Sequence, residues 1–381
     1  NLFCDNVCKH ILQEMRNRLK LVRFDVSGQG IDADAVNEHL RTWWTLNGLA
    51  ALAGAVHWAT LRDGNHAVSL AWSPAQNRVI VARERWWNGR YGMFVGYDDY
   101  DQPAYAVRDW RSAEGERRTI WFRDRIERYL RDGEGWKPFR LAADGEQWPT
   151  PWVTATGEPI GLPVVHFGNG QMPNDGRGDY GATEPSPLYG MSELDGGLLG
   201  LQDEINDIQR DITASARFAG FQMLYGVGVQ NQYDETGAAI SFTVEPGAFY
   251  TDPNADAKFG ALPPGDLTQL EKALIIKLQA VSRQSSIPLY TIAGDWPSGE
   301  ALLRAEQPAV DKAETQAAGI GPAWASLAHK ATRLSNVFGG TLLDENLMIS
   351  AVFAPVARRD PLTRAAIVAQ LGPHLSKQEV L

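Results

Sequence analysis

The chain has little of what most specialised protein classes require. Cys4 and Cys8 are the only cysteines in 381 residues. They lie one helical turn apart, which suits reduced side chains better than a disulfide, and two thiols complete no zinc site. No apolar run approaches the roughly 18 residues of a membrane span, so no membrane association is expected. Positive charge is also short: 36 Lys and Arg face 46 Asp and Glu, a net charge of −10. A nonspecific nucleic-acid binder needs concentrated cations to neutralise phosphates. The densest basic segment, Arg108–Arg131, interleaves its arginines with Asp109, Glu114, Glu116, Asp124 and Glu127 and reads as a solvated strand and helix of mixed charge.

Catalytic signatures are missing too. His10, His39, His57, His66, His166, His329 and His374 form no HExxH and no i,i+4 pair, and no GxSxG elbow, P-loop or dinucleotide fingerprint occurs. No catalytic residue, metal ligand or cofactor is assigned, and an enzyme is not expected. Asp98, Asp99 and Asp101 could be drawn as a metal loop, but adjacent acids beside Tyr97 and Tyr100 read more simply as solvated surface. The 13 Trp, including Trp43 with Trp44, Trp86 with Trp87 and Trp148 with Trp152, suit a sugar cleft, a core or a subunit interface. A carbohydrate-processing enzyme is therefore the enzyme-class alternative.

The patterns that are present indicate an α+β fold. Helices are predicted over 3–20, from about Asp32 or Asp34 (the candidate caps) to Trp44, and over 49–61, with a strand at 21–26. Period-two patterning then predicts strands at 66–72, 78–82 and 91–97, a strand with a short helix over 119–129, and a turn at Asp132 and Gly133. A strand at 162–167 precedes a glycine-rich polar segment, Gly168 to Asp179, read as a flexible connection.

The most informative stretch is 192–218. Leu194, Leu198, Leu201, Ile205, Ile208 and Ile212 step by four and three, which is a helical packing seam. Beside it Asp203, Asp207 and Asp211 follow at i,i+4, a like-charge row that costs helix stability. Ser192 is a candidate cap, while Gly196, Gly197 and Gly200 weaken the first turns and move the stable part towards Leu201. Strands are predicted at 221–229 and 239–244, separated by a hairpin signal at 234–237. A second long helix is expected over 266–283 with Asp266 as its cap, then an extended stretch at 287–292 and a turn at 294–297. A third helix begins at Ser298, kinks at Pro308 and breaks across Gly319 to Pro322. Helix, two-stranded projection, helix, turn and kinked helix leave little core of their own, so neighbouring chains are expected to cover them.

Four ordered motifs carry a family resemblance across nearly the whole chain. They are Asn17, Arg18 and Leu19 ending a helix, followed by 40–47 and by His57, Leu61 and Gly64; Gly161 to Asn169 before the glycine loop; Ile287 and Pro288, then Gly294 and Pro297 to Leu302, leading to Trp324; and Asp360 with Pro361 before Leu375 to Glu379. In this order they resemble the portal proteins of tailed bacteriophages, in the branch with the SPP1-like portal domain. One departure is Val356 to Arg359, where relatives carry an aromatic and an acid. Relatives also continue past the position of Leu381, so a further C-terminal segment is expected, and a leader removed before Asn1 would leave no trace.

The resemblance implies a virion protein at the portal vertex of the capsid, a ring of about twelve identical subunits through whose channel double-stranded DNA passes. It implies as partners the major capsid protein, the terminase large subunit and a head–tail adaptor protein. The regions it implies are a wing (1–186 and 284–360), stem helices (187–218 and 266–283), a clip (219–265) and the start of a crown (361–381). Asp203, Asp207 and Asp211 are then candidates for an acidic channel wall that repels passing phosphate, the alternative being that they face neighbouring subunits or capsid. Gly294, Asp295 and Trp296 are candidates for a tunnel-facing segment, and Phe221, Met223, Tyr225 and Phe242 for clip interfaces. Another capsid or tail structural protein is the alternative within the same class.

Overall fold

The computed structural model describes residues 6–28, 30–133, 135–141, 148–170, 189–220, 224–229, 233, 236–237, 252, 254–261, 267–294, 297 and 299–356. Its elements, in chain order, are α1 (Val7–Arg18), β1 (Leu21–Val26), α2 (Ile31–Leu46), α3 (Leu49–Asp63), β2 (Asn65–Ser73), β3 (Arg78–Glu84), β4 (Gly92–Tyr97), β5 (Pro103–Ser112), β6 (Gly115–Trp121), β7 (Arg125–Asp132), β8 (Gly135–Pro138), β9 (Thr150–Pro151) and β10 (Val164–Gly168). The second half holds α4 (Leu198–Gly220), β11 (Leu224–Val227), β12 (Lys258–Ala261), α5 (Thr268–Ser285), α6 (Leu289–Ala293), α7 (Gly299–Gly339) and β13 (Ile349–Phe353).

The α+β expectation holds. Sheet pairings are antiparallel: β10-β2-β3, the meander β4-β5-β6-β7-β8 with β9 on β7, β11 with β12, and β1 with β13. The β7–β8 hairpin turns where Asp132 and Gly133 were expected to turn it. The main core lies between α1, α2, α3 and α7, with Ile11, Met15, Leu49, Val56, Trp324 and Leu327 among its buried side chains. Trp324 packs edge-on against Phe167 at 4.9 Å and donates its indole N–H to His57 Nε2 at 2.9 Å.

Several local expectations are corrected. The 119–129 segment has no helix; it is the end of β6 and the start of β7, because Thr119 and Ile120 pair with Arg128 and Glu127 across the sheet. Arginines of the 108–131 run meet carboxylates: Arg118 grips Asp109 through two bonds of 2.7 Å, Arg131 reaches Glu116 at 2.9 Å, and Arg108 reaches Glu84 at 3.2 Å. The mixed-charge reading therefore stands on strands alone. Gly30, at φ 117°, is the residue that caps α2; Asp32 and Asp34 lie in its first turn, where their charge still suits the helix dipole. Segment 287–292 is not extended: Pro288 sits at the N-cap of α6 and Gly294 ends it in the left-handed region.

The third helix is not broken. α7 runs for 41 residues through both Pro308 and Pro322. The two prolines are exposed, and so are Arg304 and Ala318, whose carbonyls lose their intrahelical donors to them. Water can solvate those carbonyls, while the opposite face buries Ala313, Ile320, Trp324 and Leu327 in the main core. Burial on one face outweighs the local helix-breaking signal. The same burial corrects the idea that the second half has little core of its own: α7 is central to the core that the first half builds. Of the two cysteines, Cys8 is buried and free, and Cys4 lies outside the described residues.

Candidate functional site

Of the sequence-predicted functional residues, the described ones are Asp203, Asp207 and Asp211 on α4, Tyr225 on β11 and Gly294 after α6, all in the stretch that begins with α4. Its foundation is a polar junction. Residues 189–193 run beside the end of β10: Gly190 N–H donates to Asn65 Oδ1 (2.7 Å), Met191 N–H to Asn169 O (2.8 Å) and Glu193 N–H to Leu61 O (2.8 Å). A side chain at Gly190 would run into the backbone of Asn169 and Gly64, so only glycine permits this crossing. Gly190→Ala is expected to lower unfolding free energy by about 2 kcal/mol, read as a reduced urea midpoint with an unchanged slope; an unaltered midpoint would show that the crossing can shift.

Glu193 then anchors three elements. Lys312 of α7 approaches its Oε2 at 2.5 Å and also donates to Ser285 O at the end of α5 (3.0 Å). Asn169 Nδ2 donates to Glu193 Oε1 at 3.0 Å, and Gln316 donates to the same oxygen. A buried carboxylate with several donors holds its partners in one geometry and leaves uncompensated charge if it is removed. The beginning of α4 and the end of α5 are thus tied to α7.

α4 begins at Leu198, earlier than the Leu201 estimate, with Gly196 (φ 71°) and Gly197 (φ 96°) supplying the turn before it. Ser192 does not cap the helix; its hydroxyl donates to Arg62 O (2.6 Å) and accepts from Leu194 N (3.1 Å). The apolar seam is real: Leu198 and Ile205 are buried, and Leu201, Ile208 and Ile212 are half-buried on the same side. α5 covers the seam with Leu274, Leu278 and Val281, and Lys277 reaches Glu204 at 2.5 Å. At about 100° per residue, Asp203 and Asp207 fall opposite Ile205 and Asp211 about 120° round from it, and all three are exposed. Arg210 is ion-paired with Asp207. Asp203 lies near enough to the Cys8 thiol to add to the upward pKa shift that burial imposes on it. Leu199, Ile275 and Ile276 leave apolar surface bare on the pair.

Beyond the helices lies a ribbon of β11 and β12. The described partner of β11 is β12, with Tyr225 opposite Gly260 and Gly226 opposite Phe259. Each strand lays an aromatic ring over a glycine of the other: a Cβ on Gly260 would strike the Tyr225 ring, and one on Gly226 would press on the Phe259 ring at 3.3 Å. Tyr225, Val227 and Phe259 remain 48%, 60% and 42% exposed, so both faces of the ribbon carry open apolar surface. Phe221, Met223 and Phe242, and the 239–244 strand, lie outside the described residues.

The segment after α5 is anchored. Ile287 is fully buried, and Tyr290 donates its hydroxyl to Glu306 Oε1 at 2.6 Å. Glu306 in turn faces the buried Arg18 guanidinium at 4.0 Å. Gly294 is exposed at the end of α6; Asp295 and Trp296 lie outside the described residues, as does Asp266.

Sequence reasoning missed a histidine–aromatic cluster joining β2, β4, β10 and Tyr189. His166 accepts from Tyr97 at Nδ1 (2.6 Å), donates from Nε2 to Asn65 Oδ1 (2.9 Å) and stacks on Trp86 at 4.8 Å. Burial lowers His57, His66 and His166 to about 4 and raises the Tyr97 hydroxyl. No single motif announces this cluster, because its members are scattered along the chain from Asn65 to Tyr189. Among the described residues no group of three His, Cys, Asp or Glu side chains is placed to hold a metal, and no helix is long and apolar enough to cross a membrane. Asp98 accepts from the Tyr100 and Gln102 backbone and pairs with Arg123, so it shapes the β4–β5 turn.

These features define an α+β chain with a long helical pair, an acidic outer face and an uncovered ribbon. No family model matches the chain, and no curated protein matches it. Among solved structures it is similar to a chain from the neck of an empty gene transfer agent (GTA) particle, at 12% identity and a TM-score of 0.50, over 100% of this chain and 90% of that one. A chain from the virion of a native GTA particle is 13% identical with a TM-score of 0.48, over 98% of this chain and 88% of that one. The first likeness is one of fold, and it spans the whole length.

Proposed function

We propose that this chain is a structural subunit of a tailed-phage-like particle, placed at its neck, and more narrowly that it forms the portal ring through which the genome is packaged and ejected. The observation that carries the reading is the full-length likeness of fold to a neck chain of a GTA particle. The order of sequence motifs supports the portal, and the bare apolar surface of the α4–α5 pair and of the ribbon fits a subunit covered by its neighbours. In this reading 1–186 and 284–360 form the wing, α4 and α5 the stem, 219–265 the clip and 361–381 the start of a crown. Double-stranded DNA passes along the acidic face of α4, which repels its phosphates. The major capsid protein surrounds the ring, and the terminase large subunit and then a head–tail adaptor dock at the clip. The chain itself acts as a conduit and carries out no chemistry.

A two-stranded ribbon is marginal by itself, so neighbouring subunits are expected to complete it. End-on negative-stain projections of the purified protein should show a ring of about twelve subunits with a central hole. Tyr225→Ser with Val227→Ser should weaken that ring. A monomer, or a particle without a hole, would remove the portal reading. A structural subunit elsewhere in the capsid or tail rests on the same likeness of fold, and that result would favour it.

A further inference from the structure

On a chain of net charge −10, one concave surface is positive. A groove of about 850 Å³ lies between α1 and α3, rimmed by Lys9, Arg16, Lys20, Arg62 and Arg83, with no carboxylate among its lining side chains. Arg62 is held by Asp63 at 2.6 Å. Among the described residues no carboxylate pairs with Lys9, Arg16, Lys20 or Arg83; Arg16 instead lies over the Trp58 ring at 5.9 Å. The arginines of the β-meander show the opposite pattern, since Arg108, Arg118, Arg123, Arg125 and Arg131 all meet acids. Positive charge is therefore neutralised where the sequence is richest in it and left open in this groove.

The floor is one face of α3, with Ala50, Ala51, Gly54, Ala55 and Ala59 around Trp58. Lys9, Gln13 and Arg16 line one face of α1 and Lys20 follows in the link to β1, so the groove is on the order of 15 Å long at about 1.5 Å per helical residue. We propose that it docks an acidic helix of another protein, about three turns long, with small or apolar residues on the alanine floor and Asp or Glu side chains towards the cationic rim. Methyl groups give a phosphate backbone no donors, so the floor disfavours nucleic acid. The small side chains let a second helix backbone approach closely.

The test uses the full chain and two fluorescent probes, a Glu/Ala helical peptide of about 18 residues and a short DNA duplex, followed by anisotropy. Lys9→Glu with Lys20→Glu and Arg83→Glu should weaken peptide binding about tenfold. Ala55→Trp, which fills the floor and leaves every charge in place, should weaken it comparably. Unchanged peptide affinity in either variant would overturn the proposal, as would a loss confined to the duplex or a change in oligomeric state alone. Circular dichroism and urea midpoints confirm that each variant folds. The groove belongs to a single chain, so normal rings with unaltered peptide binding would remove this inference and leave the assembly role standing.

Discussion

Acidification from pH 7 to pH 4 should cost this fold more than most single substitutions do. His57, His66 and His166 have folded-state pKa values of about 4 against an ordinary 6.5, chiefly because burial penalises the imidazolium. Because these values are depressed, the folded state holds its histidines neutral. The stabilisation is fully present above pH 6.5, falls as pH drops from there, and is exhausted below about 4. A shift of this size corresponds to about 3 kcal/mol for each fully buried group. His66 and His166 oppose each other's charge, so their two protons are bound as a coupled pair. Even about 6 kcal/mol in total is comparable with the whole stability of many domains. Protonation also costs an acceptor: His57 accepts from Trp324 at Nε2, which a second proton destroys, while the 2.8 Å contact of Nδ1 with Leu19 O favours the charged ring and offsets part of the burial penalty. Urea midpoints followed by tryptophan fluorescence should therefore fall steeply between pH 6.5 and 4. His166→Gln, which can donate to Asn65 and accept from Tyr97 without titrating, should flatten the fall. Equal midpoints at pH 7 and pH 4.5 would refute the account.

The second large effect concerns the acidic face of α4. In assembled particles, Asp203→Asn, Asp207→Asn and Asp211→Asn together are expected to slow or stall DNA uptake, and the three Lys substitutions are expected to cut DNA-filled particles at least about tenfold. All three acids are exposed and lie outside the seam that packs on α5, so the substitutions leave the folded chain intact. Removing the like-charge row even relieves a small helix cost of about 0.2–0.5 kcal/mol per pair. If the chain forms the proposed ring, repetition would turn a modest charge per chain into a continuous field, and lysines in place of the acids would bind phosphates that the acids would repel. Unaltered DNA uptake would sink the channel role. Failure of the ring to assemble would place the same acids against neighbouring subunits.

Much of the local structure was legible because its causes are local. The period of apolar residues located α1, β1, α3 and α5 to within a few residues, and the 194–212 seam faces the core as its spacing requires. The errors lie where burial overrode a local signal. Gly319 to Pro322 marked a break in α7, yet the helix continues through it, with Pro308 and Pro322 facing solvent while Ile320 and Trp324 on the other side are sealed in the core. Segment 119–129 carried charges that suit a helix, but its neighbours in the meander pair with them across strands.

The site divides in the same way. Sequence by itself determined the helical seam, the acidic row beside it, the shortage of positive charge and the absence of catalytic motifs. Only the tertiary structure decided that the acids point outward, that Tyr225 and Phe259 each cover a glycine across the ribbon, and that Glu193 ties α4, α5 and α7 together through Lys312. It also decided which cations remain unpaired. Arg108–Arg131 is the densest basic run, but cross-strand geometry brings carboxylates to it, whereas Lys9, Lys20 and Arg83 gather on one groove from three separate elements. Periodicity and composition act along the chain, so they can be read from it. Charge pairing and burial depend on distances between residues far apart in sequence, and only the fold sets those distances.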